Sequence, residues 1–201
     1  MLNKTIFAGF GGQGVLLMGV CYANAAMNEG KHVTFLPSYG AEVRGGTANC
    51  TVSISTDEIA SPIASSPDMV VVMNGPSLAR FQNIVRPGGA FVINSTLVEQ
   101  ELSRTDVSEV RIPCGDIAEK LGSLRIANMV MLGAFAAASD LVSFRVLLDA
   151  VRSIAGSKKK ELAELNEKAV TAGYDYVKQL LKSSDKKKTA ARKSSANEEQ
   201  S

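Results

Sequence analysis

The sequence is short of several things at once. Its 201 residues contain no Trp, one His and three Cys. Cys21, Cys50 and Cys114 are far apart and odd in number, with no CxxC pair and no metal-ligand spacing. Ordinary core thiols in a reducing cytoplasm are therefore expected. Long apolar runs are missing too. The longest, Met129–Ala138, is far below the roughly 20 residues that a bilayer requires. Glycines and Gln13 interrupt the N-terminal apolar stretch, so neither a leader nor a membrane association is expected.

Charge is scarce where glycine is plentiful. Residues 1–100 hold 11 of the 42 charged side chains but 12 of the 17 glycines. A half so poor in charge has little to keep it wet. It should be buried in its own sheet, against a ligand or against another chain. Basic excess is equally local: residues 1–182 carry 17 basic and 17 acidic groups, and the net charge of +2 arises wholly after Lys182. No basic face for nucleic acid follows from such a balance.

What is present is a regular alternation. Short β-prone runs at Thr5–Ala8, His32–Leu36, Ala48–Ser55, Met69–Met73, Ala90–Asn94 and Val110–Pro113 read as strands. Helical patterns occupy residues 14–28, Ser77–Val85, Asp116–Leu121, Asn128–Ala138, Ser143–Ile154 and Lys160–Leu181, the last with Leu162, Leu165, Ala169, Ala172, Tyr176 and Leu180 at helical spacing. Interleaving of this kind predicts a three-layer α/β/α, Rossmann-like domain with a mainly parallel or mixed sheet over residues 1–182. Residues 183–201, rich in Lys, Ser, Ala and Glu without period, are expected to form a disordered polar tail.

Two glycine-rich segments carry the chemistry. Gly9, Gly11 and Gly14, with Gly12 and Gln13 between, match G-x-G-x-x-G after a strand and before a helix. Glycines in that setting bring backbone N–H groups close to an anion at a helix N-terminus, or let a helix pack closely on a strand. An NAD site also wants an acid at the end of the second strand, but Phe35-Leu36-Pro37-Ser38 has none, nor an Arg suited to NADP. The second segment, Ser38-Tyr39-Gly40-Ala41-Glu42-Val43-Arg44-Gly45-Gly46, holds the only charged residues between Lys31 and Asp57. Arg44 can fork onto a phosphate or carboxylate, and Glu42 can orient it or pair across an interface. The candidate binding residues are thus Gly9, Gly11, Gly12, Gln13, Gly14, Tyr39, Glu42, Arg44, Gly45 and Gly46. His32, at a strand start, reads as structural. The Lys158–Lys160 run reads as a solvated helix start whose charge suits an acidic partner.

These two motifs, with Ser61-Pro62, Asp68, Asn128-x-x-x-Leu-Gly133, Asn166 and Gly173, resemble the gamma subunit of 2-oxoacid:ferredoxin oxidoreductases over roughly residues 1–182. The resemblance implies a component of a larger enzyme that converts a 2-oxoacid and coenzyme A into an acyl-CoA, CO2 and reduced ferredoxin. The wording of the second motif is nearest to 2-oxoglutarate-type subunits. It implies alpha, beta and ferredoxin-like delta subunits as partners, with ferredoxin as electron acceptor and a homodimer as the form open to the isolated chain. Thiamine diphosphate, iron–sulfur clusters and coenzyme A belong to the holoenzyme, and this chain alone is expected to bind no cofactor. The residues agree: Gly115-Asp116-Ile117 is not the thiamine signature, and three scattered thiols cannot supply the four that a four-iron cluster takes. No catalytic set is expected. The competing readings are a stand-alone Rossmann-like nucleotide-binding module and a scaffold without ligand.

Overall fold

The computed structural model describes the backbone of residues 1–39, 47–155 and 160–198. Six strands form one sheet: β1 (Leu2–Phe10), β2 (His32–Tyr39), β3 (Thr47–Ser55), β4 (Met69–Val72), β5 (Ala90–Asn94) and β6 (Ser108–Ile112). Their order across the sheet is β2-β3-β1-β4-β5-β6. From β1 through β4 and β5 to β6 the pairing is parallel, whereas β3 runs antiparallel to both β1 and β2. The sheet is therefore mixed. Met69–Val72 is buried at every position, as an uninterrupted apolar strand at the centre of a covered sheet must be.

Helices α1 (Val15–Asn28), α2 (Gly75–Phe81), α3 (Cys114–Lys120), α4 (Ala127–Ser139), α5 (Phe144–Ala155) and α6 (Lys160–Glu198) complete the layers. They are unequally shared. Five of them pack over the sheet face carrying Phe7, Val71, Val92 and Ile112. The opposite face buries Ile6, Val70, Phe91 and Ile93 under α2 and the loop containing Val98. Phe7, Tyr22 and Phe135 lock β1, α1 and α4 together through tilted or edge-on ring contacts at 4.8–5.9 Å, the geometry that aromatic quadrupoles favour.

Chain turns follow local chemistry. Gly30 adopts φ 74° after α1, and the Lys31 N–H returns to the Ala26 carbonyl at 3.1 Å, closing the helix. Lys31 also pairs with Glu29 at 2.7 Å, and the second Glu29 oxygen takes the Ser143 N–H at 2.7 Å. That carboxylate therefore ties the end of α1 to the start of α5. Helices α4 and α6 cross at two glycines: a Cβ on Gly133 would stand 1.9 Å from the Val170 carbonyl oxygen, and one on Gly173 would stand 1.9 Å from that of Val130.

Two features refine the expected arrangement. β2 does not pair with β1, because β3 lies between them, hydrogen-bonded to β2 on one side and to β1 on the other. Asn74 starts α2 earlier than Ser77, by accepting the Ser77 N–H at 2.9 Å with Pro in the first turn, a recognised start signal. The helical span of α6 runs past Lys182 to Glu198. Lys, Ala, Arg and Glu are all good helix formers, and a helix already nucleated by packing extends through them at little cost. Among the described residues, no helix is long and apolar enough to cross a membrane.

Candidate functional site

The site is the carboxyl end of β1 and what surrounds it. Gly9 and Phe10 end β1, Gly12 (φ 95°) and Gly14 (φ 71°) take left-handed conformations, and Gly14 caps α1. No side chain caps that helix. Instead the Asn128 amide, from the first turn of α4, reaches the Gly14 carbonyl at 3.5 Å. A Cβ on Gly14 would fall 2.2 Å from that same amide nitrogen, so glycine is required both for the backbone angle and for the approach of α4.

Cross-strand register brings the second motif here. Phe10 pairs with Thr47, Gly9 with Ala48, and Ala48 with Tyr39 on its other side. Tyr39 and Thr47 are the two residues flanking the segment with Glu42, Arg44, Gly45 and Gly46. Both lie within two strand spacings, about 10 Å, of the Gly9–Phe10 end of β1. The four residues themselves, like Lys158 and Lys159, lie outside the described residues. Ser38 and Tyr39, the described residues of the second motif, thus lie at the same end of the sheet as the first motif, with β3 between them.

Around them lies a row of amides and hydroxyls, of which sequence patterning singled out only Gln13. Gln13 Oε1 accepts from the Phe10 N–H at 2.7 Å and from Asn74 Nδ2 at 2.9 Å. At the end of β5, Asn94 Oδ1 accepts the Thr96 N–H at 3.3 Å. Thr96 Oγ1 in turn accepts the Gly115 N–H at 3.0 Å and donates to Asp116 at 3.2 Å. Arg80 reaches Thr47 Oγ1 at 3.2 Å, placing a cation at the foot of the Glu42–Arg44 segment. Asn before Gly-Pro was the one available signal for Asn74; nothing local announces that it also contacts Gln13, 61 residues away.

Chemically, this end of the sheet offers hydrogen-bond donors and acceptors and no activated nucleophile. Burial pushes the Cys21 and Cys50 thiols up to about 12 and the Cys114 thiol higher still, so all three stay protonated at neutral pH. Cys50 spends its S–H on the Val15 carbonyl at 3.6 Å. Among the described residues, no cluster of three or more His, Cys, Asp or Glu could hold a metal. The described end of β2, Phe35–Tyr39, also carries no acid that could hold a ribose. The stand-alone nucleotide module is not favoured.

Fold and site together define a class: a Rossmann-like α/β domain with one inserted antiparallel strand and an amide-lined carboxyl end. The family model for pyruvate ferredoxin/flavodoxin oxidoreductase matches residues 4–176. The chain is 40% identical over 178 residues to the ketoisovalerate oxidoreductase subunit VorA of Methanothermobacter marburgensis, covering 87% of this chain but only 36% of that protein. It is 35% identical over 184 residues to the 2-oxoglutarate synthase subunit KorC of the same organism, covering 88% of this chain and 97% of KorC. The solved gamma subunit of a keto/oxoacid ferredoxin oxidoreductase from Geobacter sulfurreducens superposes with a TM-score of 0.76 at 29% identity, over 87% of this chain and 98% of that one. The chain spans about a third of the VorA relative and nearly all of KorC. It belongs to the pyruvate ferredoxin/flavodoxin oxidoreductase family, among the gamma subunits.

Proposed function

We propose that this chain is the non-catalytic gamma subunit of a cytoplasmic 2-oxoacid:ferredoxin oxidoreductase. It would support coenzyme A-dependent oxidative decarboxylation of a 2-oxoacid by packing against the thiamine diphosphate-binding subunits. The observation that carries this reading is the convergence of the Gly9–Gly14 loop and the ends of the Ser38–Gly46 segment at one end of the sheet. Thiamine diphosphate and the iron–sulfur clusters then belong to partners, and electrons leave through a ferredoxin-like subunit to ferredoxin. Arg44 and Glu42 are the charged groups expected to face coenzyme A or the partner, with Arg80 at their base.

KorC and VorA are named for different oxoacids, and both resemble this chain. Substrate choice is accordingly assigned to the other subunits, with 2-oxoglutarate as the first substrate to try on the wording of the Ser38–Gly46 motif. Affinity purification of the tagged chain from its native cell tests the reading: thiamine-dependent subunits should accompany it. Recovery of the chain free of them at low salt refutes it.

A further inference from the structure

Strand β6 ends the sheet: β5 pairs with it on one side and, among the described residues, no strand pairs with it on the other. The Ser108 N–H donates to the Gly89 carbonyl at 2.9 Å, and the Ile112 carbonyl accepts the Ser95 N–H at 2.9 Å. In a parallel ladder those two bonds fix which residues face which way. Ser108, Val110 and Ile112 spend their main-chain groups on β5, whereas Glu109 and Arg111 turn theirs to the open edge. An edge of this kind invites another strand unless charge blocks it. Here the two charges are of opposite sign. Glu109 Oε1 accepts from Arg111 Nε at 3.2 Å, while Arg111 Nη1 and Nη2 donate to the Val98 and Gln100 carbonyls at 3.1 and 2.7 Å. The guanidinium is thereby fixed at the edge with N–H groups to spare. On the sheet face that α6 covers, Val110, Tyr176, Val177, Leu180 and Leu181 line a groove of about 350 Å³, and Leu180 and Leu181 stay 39% and 41% exposed.

We propose that the β6 edge docks a second copy of this chain, the two β6 strands pairing antiparallel about a two-fold axis through Val110. Charge selects that register. With Val110 on the axis, Glu109 of each copy stands opposite Arg111 of the other, and each of these pairs exchanges both main-chain hydrogen bonds. An axis through Glu109 or through Arg111 would instead set like charges face to face, which destabilises the pairing. Val110 then meets its own copy in the closer, non-hydrogen-bonded kind of pair. A two-fold axis normal to the sheet keeps both α6 helices on one face, so the two apolar grooves adjoin across the seam. The same patch serves both copies, as a two-fold contact requires. A strand of five residues makes a small interface, so association should be reversible and concentration-dependent. The inference concerns this chain's own edge and does not rest on the subunit reading.

Sedimentation of the full chain over a concentration series is the test. The native chain should approach twice its 21.2 kDa as concentration rises. Glu109→Arg leaves two arginines facing the edge and Arg111→Glu leaves two glutamates. Each variant alone should sediment as a monomer, and an equimolar mixture of the two should recover the doubled mass. Pairing within one chain cannot produce that rescue. If Arg111→Glu fails to fold once its carbonyl contacts are lost, Val110→Cys reads the register directly. On mild oxidation it should give a disulfide-linked pair, because residues facing each other in a non-hydrogen-bonded pair lie about 4.5 Å apart at Cα, whereas Ser108→Cys should give none. The native thiols are buried and do not compete. A native chain that stays monomeric, a Glu109→Arg variant that still dimerises, or a mixture that remains monomeric would overturn the inference. So would linkage through Ser108→Cys, or none through Val110→Cys. An edge taken by a different chain would show as a monomeric native protein whose binding to that chain is lost in Glu109→Arg, and would overturn it equally.

Discussion

Replacing Gly133 by Ala places a methyl group inside the backbone of α6. The new Cβ would lie 1.9 Å from the Val170 oxygen, 2.7 Å from its carbonyl carbon and 3.0 Å from the Tyr174 nitrogen. Ordinary contact begins near 3.4 Å, so the helices must separate by about 1.5 Å at the crossing. Val130 and Val170, fully buried there, are each worth about 1.5–3 kcal/mol of burial, and a gap of about 1 Å forfeits a quarter to a half of a packing contact. That is a loss of about 1–3 kcal/mol, to which strain from overpacking adds about 1–3 kcal/mol. Helix propensity returns about 1 kcal/mol, because Ala is the better helix former. The net destabilisation is about 3 kcal/mol. With a urea slope of about 2 kcal/mol per molar, the unfolding midpoint should drop by about 1.5 M at unchanged slope. Gly173→Ala should cost the same, and the double variant should cost less than the sum, because the first substitution already opens the crossing. A midpoint that stays put or rises in Gly133→Ala would refute the reasoning, since propensity alone would then govern the site.

Other consequences are simpler to state. Burial keeps Cys21 and Cys50 protonated with thiol values near 12, so an alkylating reagent at pH 8 should label the native chain only at its opening rate and the urea-unfolded chain within minutes. Burial alone would raise the Glu29 carboxyl, but hydrogen bonds from Lys31 and Ser143 outweigh it and hold the group below its ordinary value. Its stabilising contribution is therefore complete above the usual carboxylate range and lost as pH falls through the depressed value. Glu29→Gln should lower the urea midpoint at pH 7 by an amount equal to about 1 kcal/mol, and the two proteins should converge once pH falls below the depressed Glu29 value. Within the proposed complex, Arg44→Ala should raise the KM for coenzyme A or weaken subunit association while thiamine diphosphate remains bound; steady-state kinetics and gel filtration showing neither effect would remove Arg44 from the site.

Local patterning foretold the elements better than their arrangement. Ala90–Asn94 and the Gly30 stop of α1 were visible in single residues, because turn chemistry and β-branched runs act over a few positions. The place of β3 was not, since a hairpin that folds back between two strands leaves no mark on the alternation of either. The Gly9–Gly14 turn between β1 and α1 was legible from its glycines. The Gln13–Asn74 bridge was not, because it joins residues from different β–α units, and Asn128 was visible only through a family likeness. In physical terms, short-range signals survive in the sequence and long-range pairings appear only when the sheet order is known.

The central claim, that this chain is a non-catalytic subunit required for acyl transfer to coenzyme A, is tested most directly by omission and add-back. The oxidoreductase would be assembled from its other subunits with and without the chain, and 2-oxoglutarate- and 2-ketoisovalerate-dependent reduction of ferredoxin measured with coenzyme A present. Turnover should be absent without the chain, absent with the chain alone, and restored when all subunits are combined. Full coenzyme A-dependent turnover in its absence, or any turnover by the chain alone, would contradict the account.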